Sequence, residues 1–130
     1  MSDNAVSPQR RALVVDDDPV IVEFVSRTLA KANFLVESCG DGMMALSMFR
    51  AAPFDVVVAD VRMPKLSGLG FLQNLRLPQG SPHRVVLISS MDDAKTRRDA
   101  LAAGAVAYLV KPASSQAILE AATGVTSASG

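Results

Sequence analysis

Cysteine occurs once in these 130 residues, as Cys39, so no internal disulfide can form and a reducing compartment is expected. Histidine also occurs once, as His83. That leaves the chain without an obvious phosphohistidine relay of its own, and His83, beside Pro82 in a loop, reads as a solvated residue. Neither sign of charge is in excess: 13 basic residues meet 13 acidic ones. Bulk charge therefore gives no reason to expect a polyanion or a membrane surface as partner. No apolar run approaches the ~20 residues of a membrane span. The opening MSDNAVSPQRR has no apolar segment of the signal-peptide kind. Internal repeats are missing, and the small-residue end TSASG is the only biased tract. What these absences leave is a cytoplasmic globular domain, one core rather than two.

What is present is organised around the stretch PFDVVVADVRMPKLSG. Val56 to Ala59 form a run of small and β-branched residues that ends in a lone carboxylate, Asp60. Met63-Pro64 and Gly68 then turn the chain. A near-continuous apolar run is the mark of a buried strand in a parallel sheet. Such sheets gather their chemistry outside the carboxyl ends of the strands. Asp60 is thus either a cap or the centre of a site, depending on what the other strands deliver.

Residues 1–10 read as a loose tail, 11–123 as the domain, and 124–130 as a second tail or linker. Ala12 to Val15 form a first strand, ending in Asp16-Asp17-Asp18. Pro19 opens a helix whose Ile21, Phe24, Val25 and Thr28/Leu29 share one face, closed by Asn33. Phe34 to Glu37 form a second strand, with Cys39 just past it as a small packed residue. Asp41-Gly42 begins a second helix with Ala45, Met48, Phe49 and Ala52 on one face, stopped by Pro53. Among Met43, Met44 and Met48, core filler is expected. The Asp60 strand comes third, then a helix over 68–77. Val85 to Ile88 form the fourth strand, ending at Ser89-Ser90. Asp92 caps a polar fourth helix, whose Lys95, Arg97 and Arg98 read as a solvated face. Gly104 suits a left-handed helix end. Ala105 to Val110 form the fifth strand, ending at Lys111-Pro112. Ser114 or Ser115 caps a last helix carrying Ile118 and Leu119. Strands alternating with helices imply an α/β fold, a flavodoxin-like (βα)5 unit with a five-stranded parallel sheet of order 2-1-3-4-5 and helices on both faces.

The strand ends then deliver carboxylates from strand 1, Asp60 from strand 3, a serine from strand 4 and a lysine from strand 5, all on one rim. Crowded carboxylates raise one another's pKa unless a cation joins them. Oxygen donors without His or Cys select Mg²⁺, Mn²⁺ or Ca²⁺ over zinc. A hydroxyl and an ammonium opposite such a metal suit a tetrahedral anion, as phosphoryl transfer requires.

With VVDDDP, DVVVADVRMPKLSG, VVLISS and AYLVKP in this order and spacing, the chain resembles the receiver domain of bacterial two-component response regulators. The resemblance implies a phosphoacceptor switch, rather than an enzyme with a substrate of its own. Asp60 would take a phosphoryl group from a histidine kinase or phosphotransfer protein. Asp16, Asp17, Asp60 and the backbone carbonyl of Arg62 would hold Mg²⁺, with Mn²⁺ an acceptable substitute. Lys111 would pair with Asp60 and the phosphoryl oxygens, and Ser89 would contact the phosphoryl group. Ser89 and Tyr108 would be the switch pair acting on helix 4, strand 5 and helix 5. The low apolar content of helix 4 suits that repacking. Arg62, Ser90 and Met91 would tune access and hydrolysis. The bond before Pro112 is usually cis in that family.

Two other classes remain. A haloacid-dehalogenase-type phosphatase would use the Asp16/Asp18 pair, but only Glu120 follows Lys111 to supply its further acid. A receiver-like module signalling without phosphorylation usually lacks a key residue, and none is missing here. Direct nucleic-acid binding lacks a helix-turn-helix and net positive charge. The partner is expected to be a downstream protein or a fused effector domain, and the unphosphorylated domain a monomer.

Overall fold

The computed structural model describes residues 9–126. Of the tails expected at 1–10 and 124–130, residues 1–8 and 127–130 lie outside the described residues. The elements run β1 (Arg11–Val15), α1 (Pro19–Lys31), β2 (Leu35–Cys39), α2 (Gly42–Ala51), β3 (Val56–Asp60), α3 (Gly68–Leu75), β4 (Arg84–Ser89), α4 (Ala94–Ala102), β5 (Ala107–Val110) and α5 (Ser115–Thr123). The strands form one parallel sheet in the order β2-β1-β3-β4-β5. The expected architecture is the observed one.

Each helix begins where a short polar side chain can accept a backbone N–H. Asp18, Asp41, Ser67, Asp93 and Ser114 do this for α1 to α5. The cap of α4 is Asp93 rather than Asp92, which is instead free to pair with Arg97. The sheet separates two apolar layers. Leu13, Val57, Val85 and Leu87 face α2, α3 and α4, while Val14, Val58, Val86 and Ile88 face α1 and α5. Alternation along each strand sends neighbours to opposite layers, so the inner strands are buried on both sides.

Several boundaries differ from the sequence reading, each for a local reason. β2 runs from Leu35 to Cys39; Phe34 precedes it, buried against the α1 layer. As an edge strand β2 is half exposed, so an apolar run does not mark its length. α3 stops at Leu75 because Arg76 turns left-handed at φ 51°. Ala105 and Val106 stay outside β5, although Val106 N–H donates to Val85 O. Ala52, expected on the inner face of α2, is an exposed helix end, and Leu46, which the sequence reading did not name, is buried there instead. Phe24 is 42 % exposed, and Met43 and Met44 point outward, whereas Met48 packs on the core. His83 is not simply solvated: its Nδ1 lies 2.7 Å from Phe54 O and its ring meets Phe49 edge-on.

Candidate functional site

Register brings the acids together. Val15 pairs with Ala59, and Asp60 pairs with Ile88. The residue after Val15 is Asp16, the residue after Ala59 is Asp60, and the residue after Ile88 is Ser89. All three are buried at the carboxyl edge of the sheet, where strands 1 and 3 send their connections to opposite faces. Ligand oxygens of Asp16, Asp17 and Asp60 lie within 4.8 Å of one another.

Lys111 closes this edge from β5. Its N–H donates to Ser89 O at 2.7 Å, which aims the side chain back across β4. Its ammonium stands 3.0 Å from Asp60 Oδ1 and 3.2 Å from Asp16 Oδ2. The bond between Lys111 and Pro112 is cis. Burial pushes the Asp60 carboxyl above its ordinary range, and the Asp16 charge adds to this. Hydrogen bonds from Lys111 and from the Arg62 backbone oppose it without winning. Burial alone would lower the Lys111 ammonium, but its two carboxylate partners raise it instead. The rim therefore holds more negative charge than one lysine offsets. An all-oxygen donor set with an uncompensated carboxylate suits a hard divalent cation such as Mg²⁺.

Asp18 does not join the cluster. Its carboxylate caps α1 through Val20 N–H at 2.9 Å, while its own N–H donates to Asp16 Oδ1 at 2.9 Å. The Asp16/Asp18 pair thus fails to converge on one reacting centre, which removes the phosphatase arrangement.

The β4–α4 loop is wired to the same edge. Ser89 Oγ accepts Met91 N–H at 3.0 Å, and Tyr108 Oη donates to Met91 O at 3.0 Å. Tyr108 is buried, so its ring lies inward beneath this loop. Arg62 Nη2 touches Met91 Sδ at 2.7 Å, joining the β3–α3 and β4–α4 loops. Ser90 is exposed beside them.

Two contributors escaped the sequence reading. Gly68 N–H donates to Val61 O at 2.9 Å, and a Cβ at Gly68 would run into the Asp60 carbonyl oxygen. A glycine after a strand signals a turn, but this close approach exists only once the chain has folded back. Arg97 is the second. It stacks 4.8 Å over the Tyr108 ring, although its neighbours on α4, Lys95 and Arg98, are exposed. Cys39 is a half-buried thiol raised above its ordinary pKa by burial, and it packs on the core.

The fold and the rim define the class: a doubly wound α/β domain with an acidic, metal-ready site at its switch point. The family model described as "Response regulator receiver domain" matches residues 12–123, and the chain belongs to that family. It is 39 % identical over 108 residues to a probable transcriptional regulatory protein, TcrX, of Mycobacterium tuberculosis, covering 82 % of this chain and 45 % of that protein. The chain spans less than half the length of the curated relatives it matches first. Among solved structures, it is similar to the signal receiver domain of the putative response regulator NarL from Mycobacterium tuberculosis. That match has a TM-score of 0.76, 33 % identity, and coverage of 90 % of this chain and 98 % of the other. It is also similar to a Burkholderia pseudomallei response regulator solved with a phosphorylated aspartic acid, a calcium ion and citrate. There the TM-score is 0.76 and the identity 27 %, with coverage of 86 % and 65 %. The chain is a receiver domain of the two-component response regulator type, a signalling module rather than a classical enzyme. No described helix is long and apolar enough to cross a membrane.

Proposed function

We propose that Asp60 accepts a phosphoryl group from the phosphohistidine of a histidine kinase or phosphotransfer protein. The receiver unit would run over residues 11–123 and act in the cytoplasm. The observation that carries this reading is the placing of one ammonium, Lys111, against both Asp60 and Asp16 at the sheet edge. Asp60 attacks phosphorus in line, forming an O–P bond as the N–P bond to the donor imidazole breaks. Lys111 orients the Asp60 carboxylate and offsets charge on the phosphoryl oxygens. Ser89 turns its hydroxyl toward the same oxygens. Asp16, Asp17, Asp60 and the backbone carbonyl of Arg62 would hold Mg²⁺, or Mn²⁺ in its place. When bound, the cation supplies positive charge to the transferring group and to the crowded acids.

The readout follows from the loop wiring. When Ser89 turns to the phosphoryl group, its hydrogen bond to Met91 N–H is lost. The β4–α4 loop then repacks on Tyr108, which changes the α4–β5–α5 face. Ala100 is the buried residue of α4, so few apolar contacts hold that helix in place. A downstream protein or a fused effector domain would read that face. The unphosphorylated domain is a monomer in this reading. Transcriptional regulators among the relatives support an effector with that output.

The test is labelling by acetyl phosphate, or by a phosphorylated kinase, with Mg²⁺ present. Wild-type protein takes one label and Asp60→Asn takes none. Label persisting on another residue in that variant overturns the assignment.

A further inference from the structure

Arg97 makes three contacts that nothing in a solvated helix face requires. Its guanidinium carbon stands 4.8 Å over the centre of the Tyr108 ring. Its Nη1 donates to Tyr108 O at 3.3 Å, and its Nη2 pairs with Asp92 Oδ1 at 2.8 Å. One fork thus grips the ring, the backbone of β5, and the loop that precedes α4. Inside that grip, Tyr108 Oη donates to Met91 O. Met91 N–H in turn reaches Ser89 Oγ. A continuous set of contacts therefore runs from the α4 surface to the acidic rim.

Elsewhere on α4 the cations behave as expected. Lys95 makes an exposed pair with Asp99 one turn along, an arrangement worth little. Arg98 is exposed. Arg97 differs because a planar cation on a buried aromatic face is attracted by the ring quadrupole and also excludes water from it. Asp92 pairs with this cation and holds Arg97 against the ring.

We infer that Arg97 is a positioning residue: it holds Tyr108 in the inward setting and so presets the α4–β5 face. The inference rests on the proposed function, in which Ser89 turns and the β4–α4 loop repacks on Tyr108. Arriving phosphoryl then has to redirect Ser89 and Met91, with the ring already seated. An unclamped tyrosine would instead divide its time between inward and outward settings.

The chain contains one tyrosine and no tryptophan, so a ring label reports Tyr108 alone. Fluorotyrosine incorporation gives one ¹⁹F resonance, and its broadening by a soluble gadolinium chelate measures how much of the ring meets solvent. Arg97→Ala is expected to raise the outward fraction by about twofold to fivefold, the range for loss of one cation–π contact. Arg97→Lys keeps the charge without the fork and falls between the two. It also decides the matter should the alanine variant fail to fold by circular dichroism. Broadening equal to wild type in both variants overturns the proposal. Beryllofluoride with Mg²⁺ then separates the two readings. It should return Arg97→Ala to wild-type broadening while changing wild type little. Exposure raised by Arg97→Ala but insensitive to beryllofluoride keeps Arg97 as the clamp and removes Tyr108 as a phosphorylation switch.

Discussion

Lys111 and Asp60, 51 residues apart in sequence, meet at 3.0 Å between Nζ and Oδ1. The pair is not electrically balanced. Asp16 shares the same ammonium, and burial still holds the Asp60 carboxyl above its ordinary value of 3.8. A site arranged so is poised to gain positive charge, and the first consequences concern stability.

Asp60→Asn should stabilise the fold in buffer without divalent cations. A carboxyl whose folded pKa is raised stabilises the fold while protonated, and that stability is lost as pH rises from 3.8 through the folded value. At neutral pH, wild type therefore carries the cost of an ionised Asp60, and the amide does not. A gain is expected, seen as a higher urea midpoint with unchanged slope. The gain should vanish as pH falls below 3.8, where the aspartate is protonated in both states. Lys111 acts in the opposite sense. Its raised pKa stabilises the fold fully below 10.5 and is lost as pH rises through the folded value. Lys111→Met should thus be less stable than wild type at pH 7. An Asp60→Asn protein no more stable than wild type at pH 7 would show that Lys111 already satisfies the site.

Divalent cations should reverse the first result. A ligand that binds only the folded state adds about 2.7 kcal/mol at a hundredfold excess over its dissociation constant. Titrating Mg²⁺ should raise the melting temperature of wild type and leave Asp60→Asn and Asp17→Asn nearly flat. Asp17 suits this test because it is exposed, so its amide costs the fold little. An equal Mg²⁺ response in Asp17→Asn would remove it from the metal site.

Most of the fold and the acids of the rim could be read in advance, because both follow from patterns along the chain. Val56 to Ala59 are apolar without a break, and the strand they form is buried on both faces. Asp16, Asp60, Ser89 and Lys111 each end a run of this kind, so topology alone brings them together. The errors fall where the deciding partner is remote. Asp92 and Asp93 are equivalent as cap candidates, and backbone geometry chooses the second. Arg97 belongs to a polar run with no signal that a ring 11 residues on lies beneath it. The edge position of β2 removes the apolar pattern that would have fixed its ends.

Gly68→Ala should disturb the site from behind. α3 begins so close to β3 that a Cβ at Gly68 meets the Asp60 carbonyl oxygen, which is backbone and has nowhere to go. Overpacking of this kind costs about 1–3 kcal/mol. The shift falls on Asp60 itself, so phosphoryl labelling should slow as well as the urea midpoint fall. A variant that loses stability yet labels at the wild-type rate would mean that α3 moves and the acid does not.

The contact between Arg62 and Met91 should govern how long the phosphoryl group lasts. Arg62 Nη2 meets Met91 Sδ at 2.7 Å, and the two side chains come from the loops that follow β3 and β4. Hydrolysis requires a water in line with the P–O bond, and if this contact lies on that path it should obstruct the water's approach. Met91→Ala removes the thioether and frees Arg62, and Arg62→Ala opens the same path from the other side. Each should speed loss of label from the isolated phosphoprotein, by up to about tenfold, the equivalent of one lost contact of 1.4 kcal/mol in the barrier. The double variant should be no faster than the faster single one, since either change already breaks the contact. Rates that multiply in the double variant would show that the two side chains act separately and that their contact has no part in retaining the phosphoryl group.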